Sequence, residues 1–295
     1  VAESILCGLV GAGIRRSLAP ALHEEEARHH ALRLHYQLID LDSAGAGLEA
    51  LPGLIAAARI MGFAGLNITF PCKQSVIPLL DALSDEARAI GAVNTVVREG
   101  ERLVGYNTDA SGWSWGFRRA LPQADLSRVA LLGAGGAGSA VGYAALELGA
   151  GELAIFDVDS RRATMLAAAL QANFPERRVV PARDPKAALR SASGLIHATP
   201  VGMAGDAGMP LDETLLRPAM WVSEIVHVPL ETPLLKAAQR IGCATVDGGH
   251  MNVGQAIGAF KLFTGREADP ARMEAHFRRL AENRGQGEFN PSRQQ

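Results

Sequence analysis

Short apolar runs rich in Val, Ile and Leu alternate along this chain with longer stretches whose apolar residues recur at helical spacing. The runs Ile5–Val10, Leu34–Ile39, Gly65–Thr69, Ala92–Val97 and Leu103–Tyr106 predict a first set of strands. A second set is predicted at Val129–Leu132, Leu153–Phe156, Val179–Pro181, Leu195–Ala198, Trp221–Ile225 and Ala244–Val246. Helical periodicity predicts Pro20–His30, Gly47–Met61, Ser111–Ala120, Ala137–Leu148, Arg161–Ala172 and Pro233–Ile241, then a closing pair at Met251–Phe263 and Pro270–Ala281. Alternation of this kind argues for an α/β fold with parallel strands. Pro and polar residues in LPQADLS (121–127) place a domain changeover near that segment, and the polar ENRGQGEFNPSRQQ (282–295) reads as a frayed tail.

Composition narrows the picture. At 295 residues the chain holds one large domain or two ordinary ones, and 48% hydrophobic with 20% charged residues is the balance of a globular protein. A net charge of -2 gives no electrostatic reason to expect nucleic acid or an anionic membrane as partner. No apolar stretch approaches the roughly 18 residues of a membrane span, and the first residues lack a signal peptide's layout. Cys7, Cys72 and Cys243 form no CxxC and no disulfide framework, so a reducing cytoplasm is the expected setting. The eight His show no ligand spacing, and no metal is expected.

The strongest local signal is VALLGAGGAGSAVGYAALELG (129–149), a strand running into Gly133-x-Gly135-x-x-Gly138 and then a helix. Gly133 permits the tight turn, Gly135 the approach of a pyrophosphate, and Gly138 close helix–strand packing. The helix N-terminus adds free N–H groups and a positive dipole end. The next strand ends at Asp157, where a carboxylate accepts both ribose hydroxyls of NAD and repels the 2′-phosphate of NADP. Arg161 and Arg162 follow it and suit a 2′-phosphate, so NAD is favoured with NADP possible. An ordinary turn, or a site for S-adenosylmethionine, carries the same glycines; the second requires no proton-transfer pair elsewhere.

Polar residues outside this unit cluster at the ends of apolar runs: Ser17, Asn67, Thr69, Asn94, Thr95, Asn107, Thr108 and Asp109. Strand ends in open α/β sheets face the ligand crevice, so such residues converge on a small polyhydroxylated substrate. Capping and turn formation compete with that role, and Asp109 suits the N-cap of the helix after it. The chain uses four lysines against 25 arginines. Lys73, in GLNITFPCKQ, therefore stands where a side chain able to exchange a proton is wanted.

The order of these motifs resembles the shikimate/quinate dehydrogenase family over nearly the whole chain. The stretches GLVGAGIRRSLAPALHE, GLNITFPCKQ, GAVNTVV, GYNTDASGW, LLGAGGAGSA, HATPVGM, VPLETPLLKAA and NVGQAIGAFKLFTG carry the likeness. FDVDSRRA (156–163) resembles the NAD-using quinate/shikimate branch, whereas the NADP-using branch usually has an Asn-Arg-Thr type of turn there. The resemblance implies a two-domain α/β protein: residues 1–109 plus 248–295 bind substrate and carry catalysis, and 110–247 form a Rossmann-type nucleotide domain. It implies reversible oxidation of a ring hydroxyl of shikimate or quinate. Lys73 would be the general acid/base and Asp109 its partner, and arginine could not replace Lys73 because it does not deprotonate. It also implies that Ser17, Asn67, Thr69, Asn94 and Gln255 hold substrate. Gly133, Gly135, Gly136, Ala137 and Gly138 would take the pyrophosphate, Asp157 and Arg162 would flank the ribose, and Thr199, Val201 and Met203 would line the nicotinamide side. A monomer or homodimer is expected.

Three positions depart from the family pattern. Ala19 replaces a hydroxyl residue that usually reaches the substrate carboxylate, His227 a Tyr, and His197 the Asn that usually opens Asn-Ala-Thr-Pro. One lost charged hydrogen bond costs about 1.5–3 kcal/mol, roughly 10- to 100-fold in affinity. A different cyclic hydroxy acid thus stays open as substrate, as does a ligand-sensing regulator. Retention of Lys73 and Asp109 argues against the regulator, and the substrate-side motifs argue against folate-linked dehydrogenases of similar layout.

Overall fold

The computed structural model describes residues 4–205 and 208–287. The chain divides into two compact units, Val1–Ser111 with Gly254–Glu274, and Gly112–Val253 with Ala275–Gln295. Along the first unit run β1 (Ser4–Gly11), α1 (Ala19–His29), β2 (Arg33–Asp40), α2 (Leu41–Ala44), α3 (Leu51–Met61), β3 (Gly65–Ile68), α4 (Cys72–Ser75), β4 (Ala82–Leu83), α5 (Asp85–Ile90), β5 (Thr95–Glu99), β6 (Arg102–Tyr106) and the start of α6 (Thr108–Ala120). Next come β7 (Arg128–Leu132), α7 (Gly136–Glu147), β8 (Glu152–Phe156), α8 (Ser160–Asn173), β9 (Arg178–Pro181), α9 (Pro185–Leu189), β10 (Gly194–His197), β11 (Trp221–Glu224), α10 (Pro233–Ile241) and β12 (Ala244–Val246). The closing pair is α11 (Gly248–Thr264) and α12 (Pro270–Gly287). Among the described residues no helix is long and apolar enough to cross a membrane.

In the first unit the sheet order is β2-β1-β3-β5-β6-β4. The expectation of parallel strands fails at β5, which runs antiparallel to both β3 and β6. The reason is the connection: only Gly100 and Glu101 separate β5 from β6, and Gly100 at φ 63° makes a tight hairpin that a parallel crossover cannot use. The stretch between Thr69 and Ala92 also holds α4, β4 and α5, too short to show periodicity. Here α5 is set by its ends: Ser84 accepts from the Ala87 N–H at 3.1 Å, and Gly91 closes it at φ 70°. The predicted helix from Gly47 splits into a 3-10 turn (Leu48–Ala50) and α3, with Pro52 in the first turn of α3.

The core of this unit packs Val10, Ile55, Leu66, Ile68, Val93 and Val96 from facing elements. On its other face, α1 carries two buried polar residues. His23 is fully buried, its ring stacked on Tyr36 with centroids 4.9 Å apart and close to Phe260 and Phe263 of α11. Glu26 accepts from Arg272 Nε at 2.8 Å and Nη2 at 2.6 Å, and from the Asp269 N–H at 2.8 Å. This clasp secures the start of α12 to α1. That helix runs six residues into the stretch read as a tail; residues 288–295 lie outside the described residues.

The second unit is a fully parallel six-stranded sheet, order β12-β11-β10-β7-β8-β9. The chain moves outward from β7 to β9, then returns to place β10 beside β7. Strand order therefore reverses between β7 and β10, the point where open α/β sheets bind ligands beyond their carboxyl ends. Strands β7 and β10 are buried along nearly their whole length, as a sheet covered on both faces requires.

Candidate active site

In the first unit, the polar strand ends converge on one hydrogen-bonded network. Lys73 sits on the short α4, and its carbonyl accepts from the Val93 N–H at 2.8 Å, tying α4 to the segment that carries Asn94. Its Nζ lies 2.5 Å from Asp109 Oδ2, with the two side chains 16% and 7% exposed. The other carboxylate oxygen, Oδ1, accepts from Asn94 Nδ2 at 2.9 Å. Asn94 is itself held at every polar atom, donating also to Thr108 Oγ1 at 3.0 Å and accepting from the Thr108 N–H at 2.7 Å. Asn67 donates to Thr95 Oγ1 at 3.0 Å and accepts from the Tyr36 hydroxyl at 2.7 Å. Burial, and after it the neighbouring Cys7, pushes the Tyr36 phenol well above its ordinary pKa, so it stays protonated and donates.

The N-cap role that Asp109 also suits by residue type is not one it plays. Asn107 caps α6 instead, its Oδ1 accepting from the Asp109 N–H at 3.0 Å and the Ala110 N–H at 3.2 Å. That leaves the Asp109 carboxylate for Lys73 and Asn94. The consequence is chemical: a lysine with one anchored carboxylate partner and an edge toward solvent can exchange a proton with a bound hydroxyl.

The other sequence-derived substrate residues are placed as follows. Thr69 follows β3, half-buried, with its N–H bonded to Val10 O at 2.9 Å. Ser17 Oγ accepts from the Ala19 N–H at 3.2 Å in the bend before α1. Gln255 is half-buried on α11, one turn before Gly258. A Cβ at Gly258 would stand 3.2 Å from Thr108, so this face of α11 meets the start of α6. Tyr36 was not anticipated, because no local motif surrounds it; its single hydroxyl within an otherwise alternating strand was the available signal.

In the second unit, the glycine turn has the geometry a dinucleotide needs. Gly133 adopts φ 104°, and a Cβ there would lie 2.6 Å from Ala198 O. At Gly138 a Cβ would meet Gly133 O at 2.0 Å, so helix and turn are in close contact. A Cβ at Gly135 meets nothing within 4 Å, which leaves an open approach to the N-terminus of α7. No side chain caps that end, so the first-turn N–H groups at Gly136, Ala137 and Gly138 face the opening. Asp157 is drawn against the turn, with Oδ2 accepting from the Ala134 N–H at 2.7 Å and Oδ1 from the Asp159 N–H at 2.9 Å. Each oxygen keeps a further lone pair for a ribose hydroxyl. Asp159 caps α8 through the Arg161 N–H at 3.0 Å, and the exposed Arg162 lies 3.7 Å from it. These residues fit a dinucleotide: open glycine, bare helix end and an acid at the next strand.

Thr199, Val201 and Met203 follow β10 at the strand-order reversal, and Met203 is exposed. Thr199 Oγ1 accepts from the Val201 N–H at 3.3 Å, and its methyl stands 3.1 Å from the Cβ position of Gly133. Behind it lies a buried pair, His197 and Glu224, of which Glu224 went unnoticed in the sequence. A lone acid inside the apolar WVSEIV was the signal that marks it.

Residues 9–96 match the family model described as the shikimate dehydrogenase substrate binding domain. The chain is 54% identical over 282 residues to a shikimate dehydrogenase (NADP(+)) of Streptomyces avermitilis, covering 95% of this chain and 97% of that one. It is 43% identical to a quinate/shikimate dehydrogenase (NAD(+)) of Corynebacterium efficiens, covering 93% of this chain and 98% of that one. Among solved structures, quinate dehydrogenase from Corynebacterium glutamicum in complex with NAD matches with a TM-score of 0.86 and 42% identity, over 94% of this chain and 99% of that one.

Proposed function

The chain belongs to the shikimate dehydrogenase family, and from that premise we propose how its residues divide the reaction. It is an NAD(P)-dependent oxidoreductase that oxidises shikimate or quinate at a ring hydroxyl, giving the ketone. A bound dinucleotide would supply the acceptor for the hydride of the carbinol carbon. Lys73, as the neutral amine, takes the hydroxyl proton at Nζ and becomes the ammonium, and it returns that proton in the reverse direction. Asp109 steadies the ammonium through Oδ2, while Asn94 fixes the carboxylate plane through Oδ1. The observation that carries this reading is the 2.5 Å Lys73–Asp109 contact, the only acid–lysine pair of this burial among the described residues.

Ser17, Asn67, Thr69, Asn94 and Gln255 hold the ring hydroxyls and carboxylate, within a substrate domain of residues 1–109 plus 248–295. Asn67 and Asn94 already donate to protein acceptors, so their contact with substrate exchanges or shares one of those bonds. The 110–247 domain takes the dinucleotide on Gly133, Gly135, Gly136, Ala137 and Gly138, with Asp157 and Arg162 beside the adenosine ribose and Thr199, Val201 and Met203 on the nicotinamide side. Of NAD and NADP, NAD is the preferred partner, as in the NAD-using quinate/shikimate branch. The support is Asp157, a carboxylate against the turn, with Asp159 drawing Arg162 away from a 2′-phosphate. Ala19 leaves the substrate carboxylate one hydroxyl short, which favours a tolerant acid pocket.

Initial rates read at the NADH band, with shikimate and quinate against NAD and NADP, test this reading. The expected result is a kcat/KM at least about tenfold higher with NAD; the reverse order sinks the NAD preference. Lys73→Ala should lower kcat by about 100-fold or more while NAD affinity barely moves. Unchanged turnover would remove Lys73 from the mechanism.

A further inference from the structure

We infer that the buried His197–Glu224 pair sets the direction of the Thr199 hydroxyl, turning it into an acceptor for an O–H or N–H donor on the nicotinamide half of the dinucleotide. This rests on the placement of Thr199 beside that half. His197 and Glu224 are the last residues of β10 and β11, direct neighbours in the parallel register, and both side chains are fully buried. His197 Nδ1 lies 2.8 and 3.0 Å from the two Glu224 oxygens. Glu224 Oε1 also accepts from the Ile225 N–H at 2.8 Å and the Val226 N–H at 3.0 Å. Its Oε2 accepts from the Thr232 hydroxyl at 2.9 Å, and Thr232 Oγ1 takes the Leu235 N–H at the head of α10.

Three donors that carry their own hydrogens converge on Glu224, and the fourth contact is satisfied by the tautomer with its hydrogen on His197 Nδ1. In that tautomer Nε2 bears the lone pair. It lies 2.5 Å from Thr199 Oγ1, so the threonine donates its hydroxyl hydrogen inward to the imidazole. With Val201 N–H already accepted, what Thr199 offers outward is a lone pair. The methyl of the same threonine packs against Gly133 where strand order reverses between β7 and β10, so the acceptor is fixed at the mouth of the glycine turn. The partner it selects is a ribose hydroxyl or the carboxamide N–H2. His197 and Glu224 are positioning residues, acting through Thr199 alone.

A double-mutant cycle tests this. Dinucleotide Kd is measured by protein fluorescence for the wild type, Thr199→Val, His197→Asn and the double variant, alongside thermal unfolding. Each single change should raise Kd about three- to tenfold, one hydrogen bond's worth, with the double variant no weaker than the weaker single. KM for the hydroxy acid should stay put, which a general loss of structure would not allow. Additive effects, or unchanged Kd in a folded His197→Asn, overturn the inference while leaving Thr199 at the dinucleotide. Unchanged Kd in Thr199→Val, which keeps the buried pair intact, overturns both. If His197→Asn does not fold, Glu224→Gln paired with Thr199→Val completes the same cycle. The 3-acetylpyridine analogue of NAD, which lacks the amide N–H2, distinguishes the donors. Loss of the wild-type preference for NAD over this analogue in Thr199→Val assigns the carboxamide, and a retained preference assigns the ribose hydroxyl.

Discussion

Replacing Asp109 by Asn isolates the electrostatic half of the proton relay. The substitution preserves shape, yet the amide cannot reproduce the carboxylate's bonding. Oδ2 accepts from Lys73 Nζ and Oδ1 accepts from Asn94 Nδ2, so whichever way the new amide is turned, its NH2 faces a donor. The choice is then a lost charged hydrogen bond to Lys73 or an N–H pressed against Asn94, whose other polar contacts prevent it from turning away. A charged hydrogen bond contributes about 1.5–3 kcal/mol, and a buried donor left facing a donor adds about 1 kcal/mol. The relay should therefore weaken by about 2.5–4 kcal/mol, roughly a 70- to 1000-fold fall in kcat. Stopped-time NADH formation at saturating acid and dinucleotide measures it. Dinucleotide Kd should stay within about twofold, because the glycine turn is built from the other unit. A folded Asp109→Asn with kcat within about threefold of wild type would refute the argument that this carboxylate governs Lys73.

Other outcomes follow from the same geometry. Gly135→Ala should fold like the wild type, since its Cβ meets nothing, but raise dinucleotide Kd at least about tenfold by blocking the pyrophosphate. Gly133→Ala combines φ 104° with a 2.6 Å clash on Ala198 O and should lower Tm by several degrees; equal Tm values for the two variants contradict this assignment. Arg272→Ala strips the buried Glu26 of its main partner and should cost about 2 kcal/mol in urea unfolding at pH 7, moderated by the half-exposed guanidinium. Burial alone would raise the Glu26 carboxyl, but the bonds from Arg272, the Asp269 N–H and His30 hold it below 4.5, so this contribution is present above that pH and fades as pH falls further. His23 gives a second acid-sensitive term. Burial, opposed by Glu26, lowers its imidazole from 6.5 to about 4, so the unfolded chain binds a proton before the folded one does. Stability should fall by about 3 kcal/mol between pH 6.5 and 4, and His23→Phe should flatten that limb; an unchanged pH profile would rule His23 out.

Much of this molecule was legible in its residues. The β7–α7 turn is local, so the spacing of Gly133, Gly135 and Gly138 and the position of Asp157 announce it without any tertiary information. The major strands and helices were equally readable, because each buries a face whose period is written along the chain. Lys73 and Asp109 stood out by motif, 36 residues apart. What the residues did not disclose depends on which neighbours meet. The direction of β5 was hidden, since an alternating strand buries the same face whichever way it runs. Asn107 and Asp109 are both capping residue types two positions apart, and only the contact with Lys73 decided which one capped α6. The pairing of His197 with Glu224 spans 27 residues and exists because β10 and β11 lie in register. Local periodicity specifies an element and its buried face; long-range hydrogen bonding decides which polar atoms meet, and through them the chemistry of the site.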